Sequence, residues 1–317
     1  KFWLLFLPTL ALGRGPDLPE AKSFALEQGD RVVFYGDSIT AANLYTRNLE
    51  VLIRTRYPQL KVAFHNASMP GETSWGGSFG KTPERIRRDV APFDPTQITV
   101  MLGMNDGGYV SYSSYIEEKF RESYESLVSN LMRSNPGAKL TLIGSSPYDS
   151  ITKRLTGERA TFAPDYNDAL QKYGHVVASI AERLRTRYLD LNEPLAELIS
   201  EAKRRDFMAA RGIIPDCTHP CSAAHLIMAA QLFQAWNGDP VVSKVSVNAR
   251  SRSITETVHA SAQMLDSLRW RQTEQALPYP TPSDSLSKFV LSIEPFQREQ
   301  NQEILQVTNL LPGNYEL

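Results

Sequence analysis

Short apolar runs alternate with amphipathic helical patterns from about residue 30 to residue 237, and this alternation restricts the fold more than any other feature. The runs are continuously apolar, as are strands that a parallel sheet buries on both faces. Five of them predict strands, at 31–35, 61–64, 98–102, 140–143 and 188–191. Since strand–helix repeats form right-handed βαβ units, the pattern predicts a doubly wound sheet.

Helix signals occupy the segments between the predicted strands. Ser114 and Glu117 have the spacing of a capping box, and Asn-Pro-Gly at 135–137 ends the helix that follows. Apolar stripes at helical spacing predict two further helices, over 170–184 and 194–205. We therefore expect an α/β fold, a three-layer α/β/α sandwich whose flavodoxin-like parallel sheet has about five strands.

The pattern changes near residue 238, where a small β-rich C-terminal region is predicted to begin. Its strand-like segments lie at 241–249, 254–265 and 289–293. A polar, Pro-rich loop is expected over 275–285. We divide the chain into an α/β domain over 28–238 and a C-terminal region over 241–317. A turn signal lies just before the last residues, and we therefore expect the C-terminal region to be truncated.

The N-terminus predicts export. Lys1 precedes an apolar stretch that ends in the small residues Ala11 and Gly13, which suit a signal-peptidase site. The stretch is too short to cross a bilayer as a helix, and no other segment is long and apolar enough to do so. We expect residues 1–13 to be a signal peptide and the protein to be secreted or periplasmic, with no integral membrane segment. A buried N-terminal helix is the alternative interpretation.

Charge and cysteine content exclude some classes of partner. The 34 basic and 35 acidic side chains nearly cancel, and no long basic run indicates binding to nucleic acid or to an anionic membrane. With two cysteines, Cys217 and Cys221, the chain has no disulfide framework.

Three segments rich in glycine and small polar residues follow the first three predicted strands. They lie at 36–40, 66–73 and 103–107. In a parallel α/β sheet, ligands bind beyond the carboxyl ends of the strands, and glycine lets the backbone approach a ligand closely. Three such segments along one edge of the sheet predict a site there.

Ser38, in the first of these segments, can act as a nucleophile only if a base removes its proton and a third group orients that base. His219 follows Asp216 by three residues in a loop before the last predicted helix, so a single turn can bring the carboxylate to the imidazole. Structural or solvated positions are expected for His65, His175 and His259, whereas His225 is expected in the first turn of the last helix, near the site but not catalytic.

Four motifs in order resemble the SGNH hydrolases, also called GDSL lipases and esterases. Gly-Asp-Ser at 36–38 resembles the nucleophile block of that family, and Gly71 resembles its second-block glycine. Gly-Met-Asn-Asp at 103–106 resembles the third block, and Asp-Cys-Thr-His at 216–219 resembles the final Asp-x-x-His block. The serine is not in a Gly-x-Ser-x-Gly elbow, which argues against an ordinary α/β-hydrolase.

The resemblance implies a role for each matching residue. Ser38 would attack an ester carbonyl, His219 would take its proton, and Asp216 would hold the imidazole in the right tautomer. The oxyanion hole would consist of the backbone amides of Ser38 and Gly71 and the side chain of Asn105. The resemblance implies no cofactor and no metal, and a small-molecule or glycan ester as the substrate.

The final block departs from the family's common His-Pro-Asn, because this chain has His-Pro-Cys at 219–221. Cys217 and Cys221 bracket the candidate base, and in an exported protein they could form a disulfide that stiffens the loop. The rival interpretation is a metal site made of Cys217, His219, Cys221 and His225, whose spacing does not match the usual Cys-x-x-Cys pattern.

The leading hypothesis is a secreted serine ester hydrolase that forms an acyl-enzyme on Ser38, and a carbohydrate O-acetyl esterase of the same family is its closest competitor. An inactive binding protein on the same scaffold is a third hypothesis, against which the joint presence of the triad and Asn105 argues. A flavodoxin-like nucleotide binder is a fourth, but no Gly-x-Gly-x-x-Gly follows the first strand. The acyl group, the alcohol and the oligomeric state are left open.

Overall fold

A parallel sheet lies at the centre of the computed structural model, which describes residues 23–151, 162–266 and 268–315. Its strands in chain order are β1 (Arg31–Gly36), β2 (Ala63–Asn66), β3 (Gln97–Met101), β4 (Lys139–Ile143) and β5 (Arg187–Leu189). Within the described residues the sheet order is β2-β1-β3-β4-β5, and every neighbouring pair is parallel. The predicted signal peptide over 1–13 lies outside the described residues.

Helices connect these strands and cover the sheet. They are α1 (Ser38–Ala41), α2 (Leu44–Arg56), α3 (Thr82–Arg85, continued by helical turns over Ile86–Val90 and Ala91–Phe93), α4 (Ser114–Ser134), α5 (Tyr166–Leu184), α6 (Asn192–Arg205), α7 (Phe207–Ala210) and α8 (Ser222–Ala235). Helix α2 packs against α8 and α4 packs against α5, while every residue of β3 is buried. The predicted three-layer sandwich is therefore confirmed.

The predicted strands of the central sheet agree with the observed ones to within two residues, but the capping box predicted for α4 is wrong. Ser113, not Ser114, is the residue that precedes the helix, and its side chain makes no capping hydrogen bond. Glu117 forms an ion pair with Arg121 at 3.3 Å. The helix ends at Ser134, directly before the predicted stop.

The C-terminal region is more helical than predicted. Its elements are β6 (Val241–Asn248), β7 (Ser253–Val258), β8 (Ala260–Asp266), β9 (Arg269–Glu274), α9 (Ser285–Ile293), α10 (Phe296–Gln300) and β10 (Gln302–Thr308). The strand predicted at 289–293 is wrong, because these residues lie in α9. Asp284 caps that helix by accepting a hydrogen bond from the Ser287 amide at 2.9 Å, and Val290 is buried. A short apolar run does not distinguish a buried strand from a buried helix.

Contacts with α2 and α8 attach the C-terminal region to the α/β domain. Helices α9 and α10 both pack on α8. The Tyr279 hydroxyl donates a hydrogen bond to Asn48 on α2 at 3.0 Å, and Arg56 at the end of α2 donates to the Gln300 carbonyl at 3.1 Å. Among the residues that the structure describes, no helix has the length and apolar character needed to cross a membrane.

Candidate active site

Ser38 is the first residue of α1, directly beyond the carboxyl end of β1. Asp37 caps this short helix by accepting a hydrogen bond from the Ile39 amide at 2.9 Å. A side chain at Gly36 would place its Cβ 2.8 Å from the Met101 carbonyl of β3, so the tight exit from β1 requires glycine. The turn holds the Ser38 side chain half-buried at the edge of the sheet.

A continuous chain of hydrogen bonds joins Ser38, His219 and Asp216. The distance from Ser38 Oγ to His219 Nε2 is 2.7 Å, and that from His219 Nδ1 to Asp216 Oδ2 is also 2.7 Å. A carboxylate oxygen only accepts, so Nδ1 must donate to Asp216, which leaves Nε2 to accept the Ser38 proton. The His219 side chain is 41% exposed, so a substrate can reach this arrangement from solvent.

The aspartate and the histidine come from one loop, and Asp216 organises that loop as well as the imidazole. Its Oδ1 accepts hydrogen bonds from the backbone amides of Thr218 at 3.0 Å and His219 at 2.7 Å. Although burial acts to raise the pKa of Asp216, the hydrogen bonds from His219 and Thr218 outweigh it and hold this pKa well below its usual range. Asp216 is therefore a stable anion facing Nδ1.

The loops that carry Gly71 and Asn105 are bonded to each other. Asn105 Nδ2 donates to the Glu72 carbonyl at 3.0 Å. Asp106 Oδ1 accepts from the Ser74 amide at 2.8 Å and from its hydroxyl at 2.6 Å. Gly71 has a φ of +74°, a left-handed conformation that favours glycine, and is exposed. These contacts join the loop after β2, which carries Gly71, to the loop after β3, which carries Asn105. The two candidate oxyanion donors therefore lie in loops that are bonded to each other.

A buried ion pair lies beneath the Gly71 loop. The Arg85 side chain is fully buried, and its Nε donates to Glu72 Oε2 at 3.3 Å while its Nη1 pairs with Asp89. The Tyr35 hydroxyl donates to Glu72 Oε1 at 3.2 Å, and the Arg85 guanidinium lies 5.5 Å from the centre of the Tyr35 ring. Sequence reasoning missed this network, since an arginine within a helical segment carries no signal that it is buried.

Two carboxyl groups are buried close to the site. Burial, with a smaller contribution from the charge of Asp106, raises the pKa of Asp37 to about 7. Burial also raises the pKa of Asp106 to about 6, although hydrogen bonds from Ser74 act to lower it. Both carboxyls bind a proton more tightly in the folded protein than in the unfolded chain, so their ionisation destabilises the fold.

Asp37→Asn is expected to reduce the loss of stability between pH 4 and pH 7. In the wild type the unfolded chain releases this proton near the ordinary pKa of 3.8, whereas the folded state keeps it up to about 7. The free energy of unfolding therefore falls by up to about 1.4 kcal/mol per pH unit in that window. The asparagine side chain can still accept the hydrogen bond from the Ile39 amide, but it has no carboxyl proton to release. Urea unfolding from pH 4 to 8 measures the slope, exposed Asp94→Asn is the control, and equal slopes in Asp37→Asn and wild type would contradict the assignment.

His225 lies near the site but is buried at 1% exposure, as the fourth residue of α8. Its ring is parallel to that of Tyr45, with centroids 6.1 Å apart, and its Nδ1 has no hydrogen-bond partner among the described residues. Burial, together with the neighbouring His219, lowers the pKa of His225 to about 4. A neutral, buried imidazole of this kind packs in the core and is unsuited to be the base.

His225→Ala is therefore expected to lower stability while leaving the rate of turnover within about threefold of wild type. The cavity left by a large buried side chain costs about 2–4 kcal/mol. Urea denaturation with parallel ester hydrolysis at 20 °C measures both quantities, and His219→Ala is the matched histidine control. A His225→Ala protein that is folded but inactive would show that the histidine roles are assigned wrongly.

Cys217 and Cys221 are not joined as a disulfide in the structure, so it does not support the disulfide hypothesis. Cys217 is buried with a φ of +70°, and Cys221 precedes α8 as its N-cap residue. Among the described residues, no three His, Cys, Asp or Glu side chains are arranged to hold a metal ion. The rival metal interpretation of this loop is therefore not supported.

The sequence profile of the GDSL-like Lipase/Acylhydrolase family matches residues 34–227, more than half of the chain. The chain belongs to this family. The match includes Ser38, Gly71, Asn105 and the Asp216–His219 loop, and membership of the GDSL-like family makes the protein a hydrolase that acts on esters. The resemblance drawn from the four sequence motifs is thus confirmed at the level of the family.

Solved structures resemble this GDSL-like chain in fold. A gut microbial diltiazem-metabolizing enzyme is 21% identical with a TM-score of 0.73, and the match covers 90% of this chain and 67% of that one. A catalytic mutant of an acetylxylan esterase from Geobacillus stearothermophilus is 20% identical with a TM-score of 0.51, and the match covers 68% of this chain and 98% of that one. No curated protein matches the sequence significantly. At these identities the likeness shows a shared fold.

Proposed function

We propose that this GDSL-like protein is an exported serine esterase that cleaves carboxylic esters through an acyl-enzyme on Ser38. The observation that carries the proposal is the hydrogen-bonded chain from Ser38 Oγ through His219 to Asp216, with both distances at 2.7 Å. An inactive binding protein would have no need to keep a serine, a base and an orienting carboxylate in register. The proposed location, secreted or periplasmic, rests on the N-terminal pattern and is tested by cell fractionation.

In the proposed acylation step, Ser38 Oγ bonds to the ester carbonyl carbon as its proton passes to His219 Nε2. Asp216 stabilises the resulting imidazolium. The tetrahedral oxyanion accepts hydrogen bonds from the backbone amides of Ser38 and Gly71 and from Asn105 Nδ2. The carbon–oxygen bond to the alcohol then breaks, and the alcohol leaves with the proton from His219.

In the proposed deacylation step, water replaces the alcohol. His219 removes a proton from the water, whose oxygen attacks the acyl carbon on Ser38. The second oxyanion occupies the same donors, and its collapse releases the carboxylic acid. The proton on His219 returns to Ser38 Oγ, which restores the starting state.

A carbohydrate O-acetyl esterase is the second candidate within the same chemistry. Trp75 lies four residues beyond Gly71 and is 51% exposed, and Tyr115 near the start of α4 is 71% exposed. Flat aromatic faces of this kind suit the apolar face of a sugar ring. The fold shared with the acetylxylan esterase makes an acetylated glycan a reasonable substrate, and the fold shared with the diltiazem-metabolizing enzyme supports a small-molecule substrate equally.

One set of assays distinguishes these substrates. Purified wild type and Ser38→Ala are compared on an aryl acetate, an aryl octanoate and acetylated xylan, with acid release as the readout. Faster release by wild type on the aryl acetate supports a short-chain esterase, and a difference on acetylated xylan alone supports the deacetylase. Equal, background rates for both proteins on all three esters would refute the proposal.

A further inference from the structure

Tyr109 contacts the candidate oxyanion donor Asn105 directly. The Tyr109 hydroxyl donates a hydrogen bond to Asn105 Oδ1 at 3.0 Å, while Asn105 Nδ2 donates to the Glu72 carbonyl at 3.0 Å. The Nδ2 group carries two hydrogens, and the second makes no hydrogen bond within the described residues. The amide is thus held at both ends, with one donor hydrogen left for a ligand.

The backbone at Tyr109 is strained, and its ring is firmly packed. Its φ is +61°, a left-handed conformation that a bulky side chain adopts only at a cost in free energy. The ring stacks on Phe162 with centroids 4.3 Å apart, and the Tyr109 carbonyl accepts a hydrogen bond from the Ala163 amide at 2.9 Å. The surrounding structure therefore holds the hydroxyl against Asn105 despite the strain.

We propose that Tyr109 is a positioning residue for the oxyanion hole, and that its hydroxyl fixes the Asn105 amide with Nδ2 towards the reacting carbonyl. This inference rests on the proposed function. The χ2 torsion of asparagine has a broad distribution, so a single hydrogen bond to the Glu72 carbonyl leaves the amide free to rotate about χ2. The Tyr109 bond removes that freedom and also polarises the amide, which makes Nδ2 a stronger donor.

Tyr109→Phe removes the hydroxyl and keeps a ring that can stack on Phe162. We expect kcat to fall about tenfold, a fraction of the 10²- to 10³-fold loss that follows removal of a whole oxyanion donor. The KM for the aryl acetate should stay within about twofold, because the oxyanion develops only in the transition state.

A double-mutant cycle tests whether Tyr109 acts through Asn105. In an Asn105→Ala background, Tyr109→Phe should cause no further loss of kcat, since the group that it positions is gone. Tyr166→Phe is the matched control. The Tyr166 hydroxyl donates to the Met104 carbonyl at 2.8 Å, so it supports the same loop through the backbone and not through the Asn105 amide, and any effect of its removal should persist in that background.

The outcomes separate this inference from the proposed function. A tenfold loss of kcat that disappears in the Asn105→Ala background is the expected result. A Tyr109→Phe protein with wild-type kcat, or one whose loss is equally large without Asn105, would overturn the positioning role while leaving the esterase intact. If wild type and Ser38→Ala are equally inactive on every ester, the proposed function fails and the Tyr109 role falls with it.

Discussion

Ser38→Ala is expected to lower kcat/KM for ester hydrolysis by at least about 10⁴-fold, the scale seen when a triad serine is removed. The loss is this large because alanine cannot form the acyl-enzyme, although the oxyanion donors and substrate contacts remain. Stability should be nearly unchanged, since Asp37 rather than Ser38 caps α1. Hydrolysis of the best of the three esters, measured beside urea denaturation, tests both statements.

His219→Ala should cost nearly as much, and the double variant should be no slower than Ser38→Ala alone. Residues that act as a unit are strongly non-additive, because either removal abolishes the same step. Losses that multiply in the double variant would show that Ser38 and His219 act separately. A Ser38→Ala protein that retains more than about a hundredth of wild-type activity would require another nucleophile.

Arg85→Met is expected to lower the free energy of unfolding by about 3–5 kcal/mol, the cost of removing one partner from a buried ion pair. Methionine fills much of the volume of arginine but leaves Glu72 without its cation. Glu72 directly follows Gly71, so we expect esterase activity to fall as well. Urea denaturation at pH 7 measures the stability, and activity is compared where both proteins are fully folded.

The pH dependence of Arg85→Met shows whether the Glu72 charge causes the loss. Burial already raises the pKa of Glu72, against the lowering effect of Arg85, so removal of Arg85 raises it further. The part of the loss that comes from the unpaired Glu72 charge is absent where Glu72 is protonated in both the folded and the unfolded chain. It grows as the pH rises towards the pKa of Glu72 in the folded variant. The difference in the free energy of unfolding between Arg85→Met and wild type should therefore be smaller at pH 5 than at pH 7. Adding Glu72→Gln to Arg85→Met should recover much of the lost stability.

Arg88→Met is a matched control, because Arg88 also pairs with Asp89 but is exposed. Ion pairs at the surface contribute little to stability, so this variant should unfold almost as the wild type does. If Arg85→Met and Arg88→Met were equally mild at every pH, the buried network would not be what holds the Gly71 loop.

The central sheet could be predicted because strands buried on both faces have a local, continuously apolar pattern, as β3 illustrates. Ser38 could be proposed because its segment follows a predicted strand, and Asp216 and His219 could be added because they are three residues apart and match the final motif of the SGNH hydrolases. The roles of Arg85 and Tyr109 could not be predicted from the sequence, since each depends on contacts between segments that are remote in sequence or on an unusual φ. The strand wrongly predicted at 289–293 has the same cause. These residues lie in α9, which packs on α8, and that contact between remote segments cannot be read from a short apolar run.

Asp216 and His219 are three residues apart, whereas Ser38 and His219 are separated by 181. The Asp216–His219 hydrogen bond can therefore form within its own turn, but the hydrogen bond between Ser38 and His219 needs this loop to pack against the end of β1. Ribosomal synthesis makes Ser38 early and His219 near the end of the α/β domain. In the proposed mechanism a chain without this contact has no base for Ser38, so the appearance of esterase activity during refolding would time the formation of this long-range contact.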